Sequence, residues 1–236
     1  MSESRLINEV RRSSGTSKAD RAMWNRLYSG SPLRDLPWFA QEPYPPLVRA
    51  IESGRLKPPG PILDIGCGLG TNTLWLASQG FRATGIDLVP AAVEAAESRR
   101  TPENRLADFR ADDILRSELP TRRFRGAVDV GCFHTLRKRH RRAYSQGVAR
   151  ILRPGATLVL FWVAREETGT WGPPHRLSVG EISESFESEF RVERIEYRPR
   201  TGRLTRRVQR ERRPLTVLAG YTAELVRRNG PQPGAR

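Results

Sequence analysis

The chain has 236 residues, with 41 Lys and Arg against 26 Asp and Glu and a formal net charge of +15. That length suits one domain with a sizeable buried core. It holds no run of about 18 apolar residues that would cross a membrane, and its two cysteines, Cys67 and Cys132, argue against a disulfide framework and for a reducing cytoplasm.

The start, MSESRLINEV, is polar and charged, and no signal peptide is expected. Nearly all of the basic excess falls in the second half of the chain. Such a field attracts polyanions. Yet only Lys18, Lys57 and Lys138 are lysines. The other basic residues are Arg, a bias that a GC-rich coding genome produces without any polyanionic partner. No nucleic-acid partner, no membrane and no metal are expected; a monomer or homodimer is.

Residues 1–19 show no periodicity and read as a disordered tail. Residues 20–57 read as a helical lead-in broken by prolines. Trp24, Leu27 and Tyr28 share one helix face at i, i+3, i+4 spacing, and Leu47, Val48 and Ile51 resume the pattern. From Pro61 strands and helices alternate. ILDIG (62–66) is a short buried strand, TNTLWLASQG a helix ending at Gly80, and FRATGID (81–87) the next strand. Pro90 opens an Ala- and Glu-rich helix. Strands follow at about 106–111 and 127–131, then a helix near 141–152 that Arg153-Pro154-Gly155 breaks, then the strongly β-like TLVLFWV (157–163). Ser178 and Glu181 form a capping box for a helix over 178–186. RVERIEY (191–197) and LAGYTAELVRR (218–228) read as the last strands, with a basic loop at 198–213 between them and a disordered tail from 229. Strands alternating with helices predict a parallel α/β sheet covered on both faces, here over residues 58–228.

The chemistry centres on Asp64-Ile65-Gly66-Cys67-Gly68-Leu69-Gly70-Thr71, a strand running through a glycine turn into a helix. The spacing is G-x-G-x-G, not the G-x-G-x-x-G that brings a helix N-terminus to a pyrophosphate. It departs from that phosphate-binding spacing, and Asp64 beside the turn can face a cationic ligand. Asp87 ends the next strand, where an acid accepts both hydroxyls of a ribose. Asp112 and Asp113 end the third, where a carboxylate accepts from an adenine amine.

On these residues the chain resembles the class I S-adenosylmethionine-dependent methyltransferases, over about 58–165 and including the Leu152-Arg153-Pro154-Gly155 turn. Gly131-Cys132-Phe133-His134-Thr135-Leu136 resembles the GxFHxL stretch of the thiopurine, thiol and tellurite-resistance group, and Arg142 and Tyr144 fit the R..Y that follows it. Trp24-x-x-x-Tyr28 and Pro37-Trp38 are similar to that group's N-terminal lid. Gly126 or Ala127 stands where the group has an acid, and Ala156 where it has a second glycine. The resemblance implies a Rossmann-like sheet of seven strands, mostly parallel, with helices on both faces and an N-terminal helical lid over 20–57. It implies S-adenosylmethionine as cofactor, held by Asp64, Gly66, Cys67, Gly68, Gly70, Asp87, Leu88, Asp112, Asp113 and Gly131.

His134 is the candidate catalytic group: it follows a strand end, and imidazole near neutrality takes a proton from a nucleophile. Asp129 either joins it, facing the methionine end of the cofactor, or holds the loop. Cys132 and Cys67 are expected to be packed, inert thiols. Trp24, Tyr28, Trp38, Phe39 and Trp162 are the candidate substrate contacts, with Trp171 and His175 beyond them. The expected reaction is methyl transfer to S, O or N of a small acceptor, in natural-product biosynthesis or detoxification. The alternative is a nucleic-acid methyltransferase using the basic half. Against it, VDVGCFH stands where enzymes of exocyclic base amines carry Asn/Asp/Ser-Pro-Pro-aromatic, and Pro43-Tyr44-Pro45-Pro46 lies before the glycine turn.

Overall fold

A computed structural model describes residues 18–29, 36, 38–167, 175–199 and 219–230. Residues 1–17 of the tail expected at 1–19, residues 231–236 of the tail expected from 229, the contact assigned to Trp171 and nearly all of the basic 198–213 loop lie outside the described residues, whereas Lys18 and Ala19, expected in the tail, begin a helix. The elements run α1 (Lys18–Ser29), α2 (Pro45–Glu52), β1 (Pro61–Ile65), α3 (Thr71–Ser78), β2 (Arg82–Asp87), α4 (Pro90–Glu97), β3 (Ala107–Ala111), β4 (Phe124–Val130), α5 (Lys138–Ile151), β5 (Leu152–Val163), α6 (Val179–Phe186), β6 (Phe190–Arg198) and β7 (Gly220–Arg227). Short 3₁₀ turns at Pro102–Asn104 and Phe133–Thr135 complete them.

The seven strands form one sheet in the order β3-β2-β1-β4-β5-β7-β6. β1 to β5 are mutually parallel. β7 runs antiparallel between β5 and β6. The sheet is therefore mixed but mostly parallel. β1 is buried along Ile62–Ile65, as expected for a strand with a helix layer on each face. One face carries Leu47 of α2, Leu74 and Leu76 of α3 and Ala96 of α4. The other carries Tyr144 and Val148 of α5 and Ile182 and Phe186 of α6.

Two local signals hold in detail. Ser178 Oγ accepts from Glu181 N at 3.3 Å while Glu181 Oε2 accepts from Ser178 N at 3.0 Å, the reciprocal capping box that starts α6. The Arg153-Pro154-Gly155 break is a bulge: Phe124 pairs with Leu152, but pairing resumes only at Gly126 and Thr157. β5 therefore starts at Leu152, immediately after α5, earlier than the sequence pattern suggests.

The parallel arrangement has one functional consequence. The carboxyl ends of β1, β2, β3, β4 and β5 all open on the same edge of the sheet. The chain order reverses beside β1, which has β2 on one side and β4 on the other. A crevice at such a reversal is where open α/β sheets place ligands.

Candidate active site

The glycine turn after β1 rises at that reversal. Gly66, Gly68 and Gly70 have φ of 69°, 54° and 75°, a left-handed backbone that side chains resist. Space closes the same positions: a Cβ on Gly66 would lie 2.6 Å from the Cβ of Cys132, and one on Gly70 would lie 2.6 Å from the Phe109 ring.

Three buried carboxylates surround this turn. Asp64 Oδ2 accepts from Thr73 Oγ1 of α3 at 2.6 Å. Burial pushes its pKa up to about 7, against the Thr73 bond, with Asp129 and Asp87 adding to the rise. Asp87 accepts from Gly68 N at 2.9 Å and from Val89 N at 3.0 Å, and burial raises it too. Each of its oxygens has a second lone pair to offer. Asp129 accepts from Cys132 N at 2.8 Å, from Phe133 N at 3.0 Å and from the Tyr144 hydroxyl at 2.5 Å. Burial pushes it up to about 7 as well. Among the described residues no Lys or Arg pairs with any of the three.

Farther along the edge, beyond β2 and β3, lies a cavity of about 390 Å³ lined by Leu88, Pro90, Asp112, Asp113, Arg21 and Asn25, among others. Asp112 Oδ2 accepts from Ser117 Oγ at 2.6 Å, and Asp113 is paired with Arg21 of α1 at 2.9 Å.

The aromatic lead-in sits on the glycine turn. Tyr28, Leu69, Val89 and Ala92 pack together with Trp24, Trp38 and Phe39 against them. Trp38 Nε1 donates to the Tyr28 hydroxyl at 3.1 Å, and a Cβ on Gly68 would lie 3.2 Å from that oxygen. Arg99, just past the end of α4, stands over the Phe39 ring at 5.3 Å, donates to Thr71 Oγ1 at 3.1 Å and also bonds Leu69 O. On the other side, His134 follows β4 on the turn that Asp129 holds. Its Nδ1 accepts from Val163 N at the end of β5 at 3.1 Å.

The structure thus brings Asp64, Gly66, Cys67, Gly68, Gly70, Asp87, Asp129, Gly131, Cys132 and His134 to one end of the sheet. Leu88, Asp112 and Asp113 lie on its cavity side, and Trp24, Tyr28, Trp38 and Phe39 lie over the turn. Burial raises both thiols well above their ordinary value, so neither is a ready nucleophile.

Three expectations need correction. Trp162 does not reach the site: it is fully buried, stacks on Tyr221 at 5.5 Å, and spends its indole N–H on Leu177 O. Asp129 is wholly enclosed and its oxygens accept from backbone and Tyr144, which fits the reading that it holds the turn better than a catalytic one. The buried arginine of α5 is Arg141, which bonds Leu136 O and Glu181, whereas Arg142 is exposed. Sequence reading missed Thr73, Arg21 and Arg99. Thr73 had a faint signal, a hydroxyl in the first turn of the helix that follows the glycine turn. The two arginines had none among so many.

A family model described as a methyltransferase domain matches residues 62–155. The chain is 30% identical over 162 residues to the 2-heptyl-1-hydroxyquinolin-4(1H)-one methyltransferase of Mycobacteroides abscessus, covering 67% of this chain and 70% of that one. It is 30% identical over 148 residues to the probable thiol methyltransferase 2 of Arabidopsis thaliana, covering 61% and 64%. A solved structure from work on the conversion of a disulfide bond into a thioacetal group during echinomycin biosynthesis superposes with a TM-score of 0.72 at 22% identity, covering 88% of this chain and 91% of that one. The chain belongs to the S-adenosylmethionine-dependent methyltransferases, and S-adenosylmethionine is its methyl donor.

The residues present fit that cofactor. Buried Asp64 and Asp87, with no basic partner among the described residues, suit a ligand bearing an ammonium and a sulfonium, whose positive charge would favour their ionised forms. The glycine turn leaves backbone accessible, and the adjoining cavity has acceptors for an amine.

Proposed function

We propose that this enzyme transfers a methyl group to a sulfur, oxygen or nitrogen of a small, flat, largely apolar acceptor, held between the aromatic lead-in and the His134 turn. The observation that carries this reading is the aromatic cluster of Trp24, Tyr28, Trp38 and Phe39 seated directly on the glycine turn. The relatives named for a hydroxyquinolone and for a thiol support it. When bound, S-adenosylmethionine supplies a methyl on a sulfonium, already a good leaving group.

The protein's part is then positioning. The glycine turn and Asp64 receive the amino-acid end, Asp87 accepts the ribose hydroxyls through its remaining lone pairs, and Leu88 with Asp112 or Asp113 receives the adenine. Asp129 and Tyr144 hold the turn that carries His134. The aromatic side chains exclude water and favour a cationic sulfur through their π faces. Alignment of this kind lowers a barrier by about 7–11 kcal/mol. The test is a panel of small thiols, phenols and heteroaromatic N–OH and N–H compounds with methyl-labelled cofactor. Label is expected in at least one of these classes. Label in tRNA or protein and in no small acceptor would contradict the reading.

A further inference from the structure

The hydrogen bond at His134 settles which of its nitrogens can do chemistry. Nδ1 accepts the Val163 N–H at 3.1 Å. A ring nitrogen that accepts a hydrogen bond holds no proton, so the neutral ring carries its proton on Nε2. That Nε2 faces Gly131: a Cβ built on Gly131 would lie 3.2 Å from it. Any side chain at this position would crowd Nε2, which lies beside the carboxyl end of β4. Among the described residues no acceptor is bonded to Nε2–H.

The surroundings keep the ring neutral. Phe161 of β5 meets it edge-on at 6.2 Å. Its own turn contributes Asp129, whose oxygens are taken by backbone N–H groups and Tyr144. His175, on the segment before α6, is the titratable group that acts on it, and it further disfavours a positive charge. Burial lowers the pKa of His175 in turn, Arg141 and Arg137 lower it further, and Glu181 of α6 raises it. Burial outweighs all of these and holds His134 down to about 3. To act as a base His134 would have to gain a second proton, surrender the Val163 bond and carry charge in a dry site.

We propose that His134 is a hydrogen-bond donor to the reacting heteroatom, and that the acceptor binds as its anion. This rests on the reading of a small acceptor at this turn. The substrate class follows: acidic thiols, acidic phenols and N-hydroxy or ring N–H heteroaromatics that ionise near or below neutrality. The acceptor's proton goes to solvent before reaction. One lone pair of the anion takes Nε2–H, and another forms the bond to the methyl carbon as the methyl–sulfur bond breaks. The electron pair of that bond stays on sulfur, and no proton enters the protein.

The experiment measures kcat/KM against pH for two nitrophenols of similar shape, one with its own pKa below neutrality and one with its pKa well above. A rising limb that moves with the acceptor's pKa is expected. A limb fixed at one pH for both acceptors assigns the proton to an enzyme base and overturns the proposal. This includes a limb that disappears in His175→Ala, since the His175 Nε2 is buried with no partner among the described residues. A second readout needs no turnover. Absorbance titration of the weaker acid, bound with S-adenosylhomocysteine, should show its pKa lowered by wild type and not by His134→Ala. His134→Gln, which keeps an N–H donor but is no base, should retain kcat/KM within about 10-fold, while His134→Ala loses about 10- to 100-fold. Equal loss in both variants, with cofactor affinity intact, overturns the donor role. Nitrophenols that neither bind nor react, while another small acceptor is methylated, overturn this inference alone. Methylation of no small acceptor removes the reading beneath it.

Discussion

At the scale of single residues, the site is organised by buried carboxylates whose partners differ. Asp129 receives the Tyr144 hydroxyl at 2.5 Å with both groups fully buried. Tyr144→Phe removes that donor and leaves the carboxylate short of a partner, which should destabilise the fold by about 1–3 kcal/mol in chemical denaturation. An unchanged midpoint and slope would contradict the pairing. Asp64 makes a different expectation. Burial holds its folded pKa near 7, above the 3.8 of the free group. The folded state therefore binds this proton more tightly than the unfolded state does. Ionisation opposes folding progressively as pH rises from the unfolded value towards 7, and opposes it fully above. Asn cannot ionise, so Asp64→Asn should gain stability relative to wild type between about pH 5 and pH 8, by at least about 1 kcal/mol. A difference that is flat with pH would contradict the raised pKa. The strand-end acids were legible because an acid after a buried strand breaks an apolar pattern. Their partners were not: Tyr144 lies 15 positions from Asp129, and only the folded turn shows what it bonds.

At the scale of elements, α1 is the piece whose role is a proposal. It packs against α4 through the Tyr28, Val89 and Ala92 cluster, and Arg21 reaches Asp113 beside the cavity. If α1 lids the cofactor, S-adenosylhomocysteine should slow amide hydrogen exchange over residues 21–29, the expected sign of a locally opening element held shut by a ligand. Exchange unchanged by the ligand, at saturating concentration, would contradict a lid. Most elements were readable from local signals: glycine at the β1 turn, Pro90 at a helix start, the Ser178 box, and Pro154-Gly155 after a helix end. The place of β7 was not. Its alternation marks a strand, but nothing local says that it enters antiparallel between β5 and β6. Trp162 shows the same limit, because β5 is covered on both faces and period alone does not say which side chains reach a pocket.

At the scale of the whole molecule, the net charge of +15 is the feature with most room for misreading. Among the described residues some of the basic side chains are engaged in pairs, such as Lys138–Glu184, Arg141–Glu181 and Arg191–Glu193. No helix of the described residues is long and apolar enough to cross a membrane. Binding of tRNA and duplex DNA at physiological salt should be weak, in the range of non-specific contacts. Nanomolar affinity with a steep log–log salt slope would contradict this. The central claim is that the glycine turn and Asp87 hold S-adenosylmethionine at the carboxyl edge of the sheet. Calorimetric titration of S-adenosylhomocysteine into wild type and Asp87→Ala tests it most directly. Tight binding to wild type, weakened by about 1.5–3 kcal/mol in the variant, is the expected result; equal affinity for both proteins would contradict it.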